Sequence, residues 1–201
     1  MTRQIFSKAA LHKEVGQLKR YQQFLPSLDL KRQQLTAERY KAAAKVKNVE
    51  SQIAQCRQFV TDNLPMLADE RIVLDDLVVI SNIKVREENR AGVTLPVIEQ
   101  LDVVIKPYST YAKPHWVDQA TVSLKRMLEL KVQLNIEQRR LDILNKALKK
   151  VTQRYNFFDK IMIPRAQQTI KKISIFLSDS ERAGVVRAKI TKQKRLKKAM
   201  S

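Results

Sequence analysis

The sequence predicts a mainly α protein, a long antiparallel two-helix coiled coil with a small foot containing a β-hairpin at its closed end. Three observations predict it. The 201 residues include only 3 Gly and 6% aromatics against 29% charged side chains, a balance of long helices rather than of layered folds. Apolar residues recur at steps of three and four in two long seams, one in each half of the chain. Between the seams the period falls toward two, the spacing of a half-buried strand.

The first segment, residues 1–62, carries the first seam: Leu18, Tyr21, Leu25, Leu28, Leu35, Ala42, Val46, Val49, Ile53, Cys56 and Val60, interrupted by Arg32 and Arg39. Such a seam is the heptad pattern of a coiled coil. Asn63-Leu64-Pro65 ends this helix, because the residue before a proline is driven out of the helical region.

The middle segment, residues 63–120, holds "LVVISNIKVREE" (77–88), the turn "NRAG" (89–92) and "VTLPVIEQLDVVI" (93–105). β-branched residues flanking a short glycine-containing link read as a hairpin, with Gly92 taking the turn's special backbone angles. Pro96 confines the return strand to an edge or marks a bulge. Pro107 and Pro114 delay the next helix to about Asp118, and Trp116 is expected to pack the foot against the helices.

The third segment, residues 121–201, carries the second seam: Met127, Leu130, Leu134, Leu141, Leu144, Leu148, Val151, Tyr155, Phe158 and Met162, broken by Glu137 and resuming out of phase at Ile170, Ile173 and Leu177. Each helix would be on the order of 75–90 Å long, too long to wrap a small core, so each needs the other as its partner. By crude register, positions summing to about 184 face each other, which sets Pro26 close to Pro164. Two readings stay open there: a shared bend where both helices lose a hydrogen bond, or a fresh helix beginning at Pro26.

The formal charge of +19 suggests a nucleic-acid binder, but its distribution is uneven. The first segment has 12 basic and 5 acidic residues, the middle 6 and 9, the last 21 and 6. From Arg182 onward there are eight Lys or Arg and no acid, forming a basic tip. Single-strand binding interleaves aromatics with cations, whereas Phe176 is the last aromatic, so the tip is read as protein-facing. No P-loop is written, since Gly16, Gly92 and Gly184 are far apart. His12 and His115 lack partners at metal spacing, so neither metal nor cofactor is expected. The lone Cys56 sits on the seam as a small apolar residue and fits a reducing compartment. With no run of 18 apolar residues and no apolar core in the opening stretch, the chain is expected to be soluble, without direct membrane insertion.

Three stretches carry a resemblance: "LKRQQL" (30–35), "NRAGVTLPVIE" (89–99) and "IMIPRAQQTIKKISIFLSDSERAGVVRAKITKQK" (161–194). In this order they resemble the D subunit of V-type and archaeal-type rotary ATPases, the central rotor shaft. The last is the most specific, with Ile163, Pro164 and Arg165, then Thr169 and Ile170, then Glu181 and Arg182 at the signature's spacing. Leu25-Pro26-Ser27 stands where the family usually has a glycine-containing stretch, and Gly184, Val185 and Val186 where its tail often has aromatics.

The resemblance implies a non-catalytic subunit that transmits torque, with nucleotide sites on other subunits and no cofactor of its own. Its partners would be the catalytic and non-catalytic head subunits, a small stalk subunit and a membrane-ring adaptor subunit, making it cytoplasmic and peripheral to the membrane through the complex. No nucleic acid is expected. The shaft core would be Leu18, Leu25, Leu28, Leu35, Val46, Val49, Ile53, Leu134, Leu141, Leu144, Leu148, Val151, Phe158, Ile170 and Ile173. Head contacts would come from Arg165, Arg187, Lys189, Lys192, Lys194 and Arg195, and foot or stalk contacts from Gly92, Pro96 and Trp116. Two other readings share parts of this pattern: the basic helical-hairpin stalk of a type III export ATPase, not expected to carry a β-like insertion, and a nucleic-acid-binding coiled coil.

Overall fold

The computed structural model describes residues 6–68, 77–109 and 113–199. Residues 1–5 of the first segment, 69–76 and 110–112 of the middle segment and 200–201 of the tip lie outside the described residues. In chain order the elements are helix α1 (Lys8–Asn63), a 3-10 turn (Pro65–Ala68), strands β1 (Val78–Arg90) and β2 (Val93–Ile105), helix α2 (Trp116–Phe157), a π turn (Phe158–Met162) and helix α3 (Ile163–Ala199). They form two compact units, Lys31–Lys150 and Met1–Leu30 with Val151–Ser201.

Local chemistry sets the boundaries. The Ser7 hydroxyl accepts a hydrogen bond from the Ala10 amide at 3.1 Å, capping the first turn of α1. At the other end Pro65 cannot continue the ladder, and the Asn63 side chain donates to the Phe59 carbonyl at 2.9 Å. Trp116 opens α2, with the Val117 amide bonded to the Pro114 carbonyl at 3.0 Å. Asp118 in that first turn suits the positive end of the helix.

In the unit Lys31–Lys150, Val49, Ile53 and Leu130 form a buried cluster against which Cys56, Met127 and Leu134 pack. Cys56 meets Ser123, while Glu38 and Ala42 share a cavity wall with Arg140 and Leu144, so the two helical segments run in opposite directions here. The strands pair antiparallel from Val78↔Ile105 to Arg90↔Val93, with irregularities between Ile80 and Asn82 and between Lys84 and Val85. Pro96 lies opposite Glu87 in this two-stranded sheet, so it sits on an edge strand and away from both irregularities.

The sheet is not confined to the end of α1. Arg90, the last residue of β1, lines a cavity with Glu38, Lys41, Lys45 and Arg140. A Cβ at Gly92 would lie 3.1 Å from the Lys31 amine. The turn therefore sits beside the middle of α1, where a foot at the closed end was expected. Leu95 just after the turn is fully buried, which a two-stranded sheet cannot achieve alone, so helices cover it.

In the other unit, Tyr21 packs on Phe158 with ring centroids 5.5 Å apart, and Phe6 on Phe176 at 5.1 Å. Lys8 pairs with Glu181 at 3.0 Å. The order of partners is again reversed along the chain. Val151, Ala166 and Ile173 are buried, while Leu18, Leu25, Leu28, Phe158 and Ile170 are half-buried.

At Pro26 the expectation of a fresh helix is overturned. α1 continues through Pro26 without restarting, and the Ser27 hydroxyl donates to the Phe24 carbonyl at 2.8 Å in that turn. The other helix carries a π turn just before Pro164. The break in the second seam is also resolved. Glu137 keeps its seam position and turns inward, bonded to Arg140 one turn on at 2.9 Å.

Candidate functional site

Two surfaces concentrate the residues singled out by sequence. The first is the end of α3. Past Glu181 the side chains of Arg187, Lys189, Lys192, Lys194 and Arg195 are all exposed. Between them Val185, Val186, Ile190 and Leu196 are each about half exposed, which leaves apolar area on a strongly cationic helix. Arg165 is exposed as well, one residue after Pro164 and well ahead of the tip cluster in sequence.

The second surface is the hairpin. Gly92 has φ +71°, as the turn requires, and Ala91 has φ +52°. Two consecutive residues at positive φ make the primed turn that suits strand twist. Sequence reasoning singled out glycine alone, and an alanine in this region gave no signal. Along the strands Val79, Ile83, Val85 and Val104 are exposed, so the hairpin combines a buried Leu95 with exposed apolar side chains. Pro96 is half-buried within β2, and Trp116 is half-buried at the start of α2.

A charged network underlies the hairpin turn. Lys41 donates to Glu38 at 2.9 Å, and Arg90 pairs with Glu88 at 2.7 Å. The Lys41 hydrogen bond, helped by the positive charges of Lys41, Arg90 and Arg140, holds the Glu38 carboxyl below its ordinary value. These residues line a cavity of about 170 Å³ that neither periodicity nor charge runs marked, because its members come from α1, β1 and α2. Elsewhere the Tyr108 hydroxyl donates to the Asp118 carboxylate, which pushes the phenol above its ordinary value.

At the base of the same unit an apolar groove of about 500 Å³ is lined by Val60, Leu64, Leu67, Leu77, Leu124 and Met127 among others. Cys56 packs against the Val49, Ile53 and Leu130 cluster, with its sulfur 3.9 Å from the Ser123 carbonyl, the apolar role its seam position predicts. His12 shares a cavity wall with Leu11, Val15 and Leu177, and His115 is exposed next to Trp116. Among the described residues no group of three or more His, Cys, Asp or Glu could hold a metal ion. No described helix is long and apolar enough to cross a membrane.

A family model described as the ATP synthase D subunit matches residues 10–193. The chain is 33% identical over 194 residues to a V-type ATP synthase D subunit of Borreliella burgdorferi, covering 96% of this chain and 95% of that protein. It is 30% identical over 193 residues to a protein of the same description from Chlamydia pneumoniae, covering 94% and 91%. A third relative, from Chlamydia muridarum, is 38% identical over 107 residues, covering 53% of each chain.

Proposed function

As the chain belongs to the family of ATP synthase D subunits, we propose that it is the central rotor shaft of a V-type complex, carrying torque between a catalytic head and a membrane ion-translocating ring. Within each compact unit α1 pairs antiparallel with the helical segment opposite it, as a coiled-coil shaft requires. The observation that carries the reading is the division of surface chemistry along the chain. α3 continues past the last acidic residue as an exposed basic helix, while the hairpin presents apolar strand faces in the acidic middle segment. A shaft that meets different partners at different heights needs such a division.

In this reading the chain has no catalytic residue, and nucleotide is held by other subunits. Arg165, Arg187, Lys189, Lys192, Lys194 and Arg195 face the catalytic and non-catalytic head subunits. Gly92, Pro96 and Trp116 belong to the surface that meets the small stalk subunit and the membrane-ring adaptor. The chain is cytoplasmic and bound to the membrane only through the complex.

The two surfaces are tested in reconstituted vesicles, with ATP hydrolysis and ion transport measured together. Removing residues 190–201 takes away Lys192, Lys194, Arg195, Lys197 and Lys198. Exposed charges contribute about 0–1 kcal/mol each, so weaker seating in the head is expected rather than lost assembly. Leu95 and Val103 are core residues, so the hairpin is altered only at exposed positions, with Val79→Ser, Ile83→Ser and Val85→Ser combined. That variant is expected to hydrolyse ATP while moving fewer ions per turnover. A hairpin variant that pumps at the parent ratio would remove the hairpin from coupling.

A further inference from the structure

The π turn before Pro164 coincides with a break in the rhythm of the apolar seam. Val151, Tyr155, Phe158 and Met162 follow steps of four, three and four. Continued, that rhythm places the next core positions at 165, 169, 172 and 176. Burial places them one residue later: Ala166 and Ile173 are buried and Ile170 and Leu177 half-buried, while of the unshifted positions Arg165, Lys172 and Phe176 are exposed and only Thr169 is half-buried. One surplus residue has entered the seam between Phe158 and Ala166.

In an unbroken α-helix each residue turns the chain by about 100°, so a surplus residue swings every later side chain off the face it should occupy. The stripe nevertheless keeps the same partner. Before the break Phe158 packs on Tyr21 at 5.5 Å. After it, Leu177 shares a cavity wall with Leu11 and Val15, and Glu181 pairs with Lys8 at 3.0 Å. All of these partners lie on the first turns of α1, within one compact unit.

We propose that the π turn is a register adapter, absorbing one extra residue so that the apolar stripes on either side of Pro164 face the same stretch of α1. The Ile163 amide bonds to the Phe158 carbonyl, five residues back instead of four, so this turn holds one residue more than an α turn. Pro164 fixes where the adapter sits. It has no amide hydrogen to donate, and in a regular helix its ring collides with the carbonyl four residues back, that of Lys160. Lys160 lies inside the π turn, where the backbone is widened. This inference concerns the chain's own folding and stands independently of the rotor reading.

The idea makes removal of a residue harmless and addition harmful. In the full-length chain with Cys56→Ser, Leu11→Cys and Leu177→Cys are joined by a short bis-maleimide. Deleting Lys160 together with Pro164→Ala is expected to give a continuous α-helix in the parent phase, with the same crosslink yield and a Tm within about 4 °C of the parent. Inserting a second Lys after Lys160 is expected to abolish that crosslink and lower Tm. A separate pair, native Cys56 with Ser123→Cys, reports whether the other unit is folded and is expected to react in all variants. Loss of the Leu11–Leu177 crosslink in the deletion variant overturns the adapter, with or without loss of the Cys56–Ser123 pair. So does equal behaviour of deletion and insertion, as a purely local response to Pro164 would give.

Discussion

The two compact units share the helical segment that includes α2 and the helix α1, yet they bury side chains to different depths. Of the sixteen apolar residues buried among those described, thirteen belong to Lys31–Lys150 and three, Val151, Ala166 and Ile173, to the unit built from Met1–Leu30 and Val151–Ser201. Phe6, Phe24, Phe157 and Phe176 remain between 39% and 59% exposed in the second unit. The difference is one of cover. Two paired helices can hide a single stripe, whereas the first unit adds the hairpin, whose own Leu95 and Val103 are buried. Depth of burial in this protein follows how many elements meet at a position more than how apolar the residue there is.

The largest expected effect lies in the deeper unit, at Glu137 and Arg140, whose paired side chains are only 10% and 12% exposed. Arg140→Ala leaves the Glu137 charge buried and uncompensated, with an expected loss of about 3–5 kcal/mol by urea denaturation. The double variant Glu137→Leu with Arg140→Met is expected to recover most of it. A cost below about 1 kcal/mol for Arg140→Ala would mean the interior of this unit is far wetter than its burial indicates.

A direct comparison of the units comes next. Leu144 is 1% exposed in the deeper unit, and Leu177 is half-buried in the other. Leu144→Ala is expected to cost about 2–5 kcal/mol, the range for a buried leucine, and Leu177→Ala less than about 2 kcal/mol. Equal costs would break the comparison, because they would require equal cover at both sites.

The smallest effect is electrostatic. Glu38 has its carboxyl depressed from 4.5, first by the Lys41 hydrogen bond. The native state therefore favours the ionised form, and the contribution is complete above about pH 4.5 and lost as pH falls through the lower native value. Amide protection around Arg90–Thr94, exchange corrected for its intrinsic pH dependence, is expected to fall below that pH in the parent and to lose this dependence in Glu38→Gln. A parent whose turn is equally protected above and below that pH would detach the charged network from the hairpin's seating.

Much of this was legible in the residues themselves. Helix, hairpin and helix follow from local periods, and the boundaries from Pro65, the Asn89–Gly92 turn and Pro114, because period and punctuation act over only a few neighbours. Every core residue expected from the seams is buried or half-buried. The charge division that marks the two candidate surfaces is likewise a property of the chain alone. The phase break after Met162 was visible too, although not its cause.

Tertiary structure decided what a pattern leaves undetermined. A seam states which face of a helix is apolar and is silent on what covers it, so the hairpin turn's place beside Lys31 and Arg90's among Glu38, Lys41 and Arg140 could not be read from it. Nor could the inward turn of Glu137, which a partner one helical turn away makes tolerable. Ala91 at positive φ is set by the geometry of the strands on either side of it. At Pro164 the sequence determined that a regular helix must yield somewhere, since a proline cannot donate and its ring needs room. Only packing against α1 decided that it yields by widening one turn and keeping the stripe in register, because that is the arrangement in which Phe158 and Ile173 both stay covered.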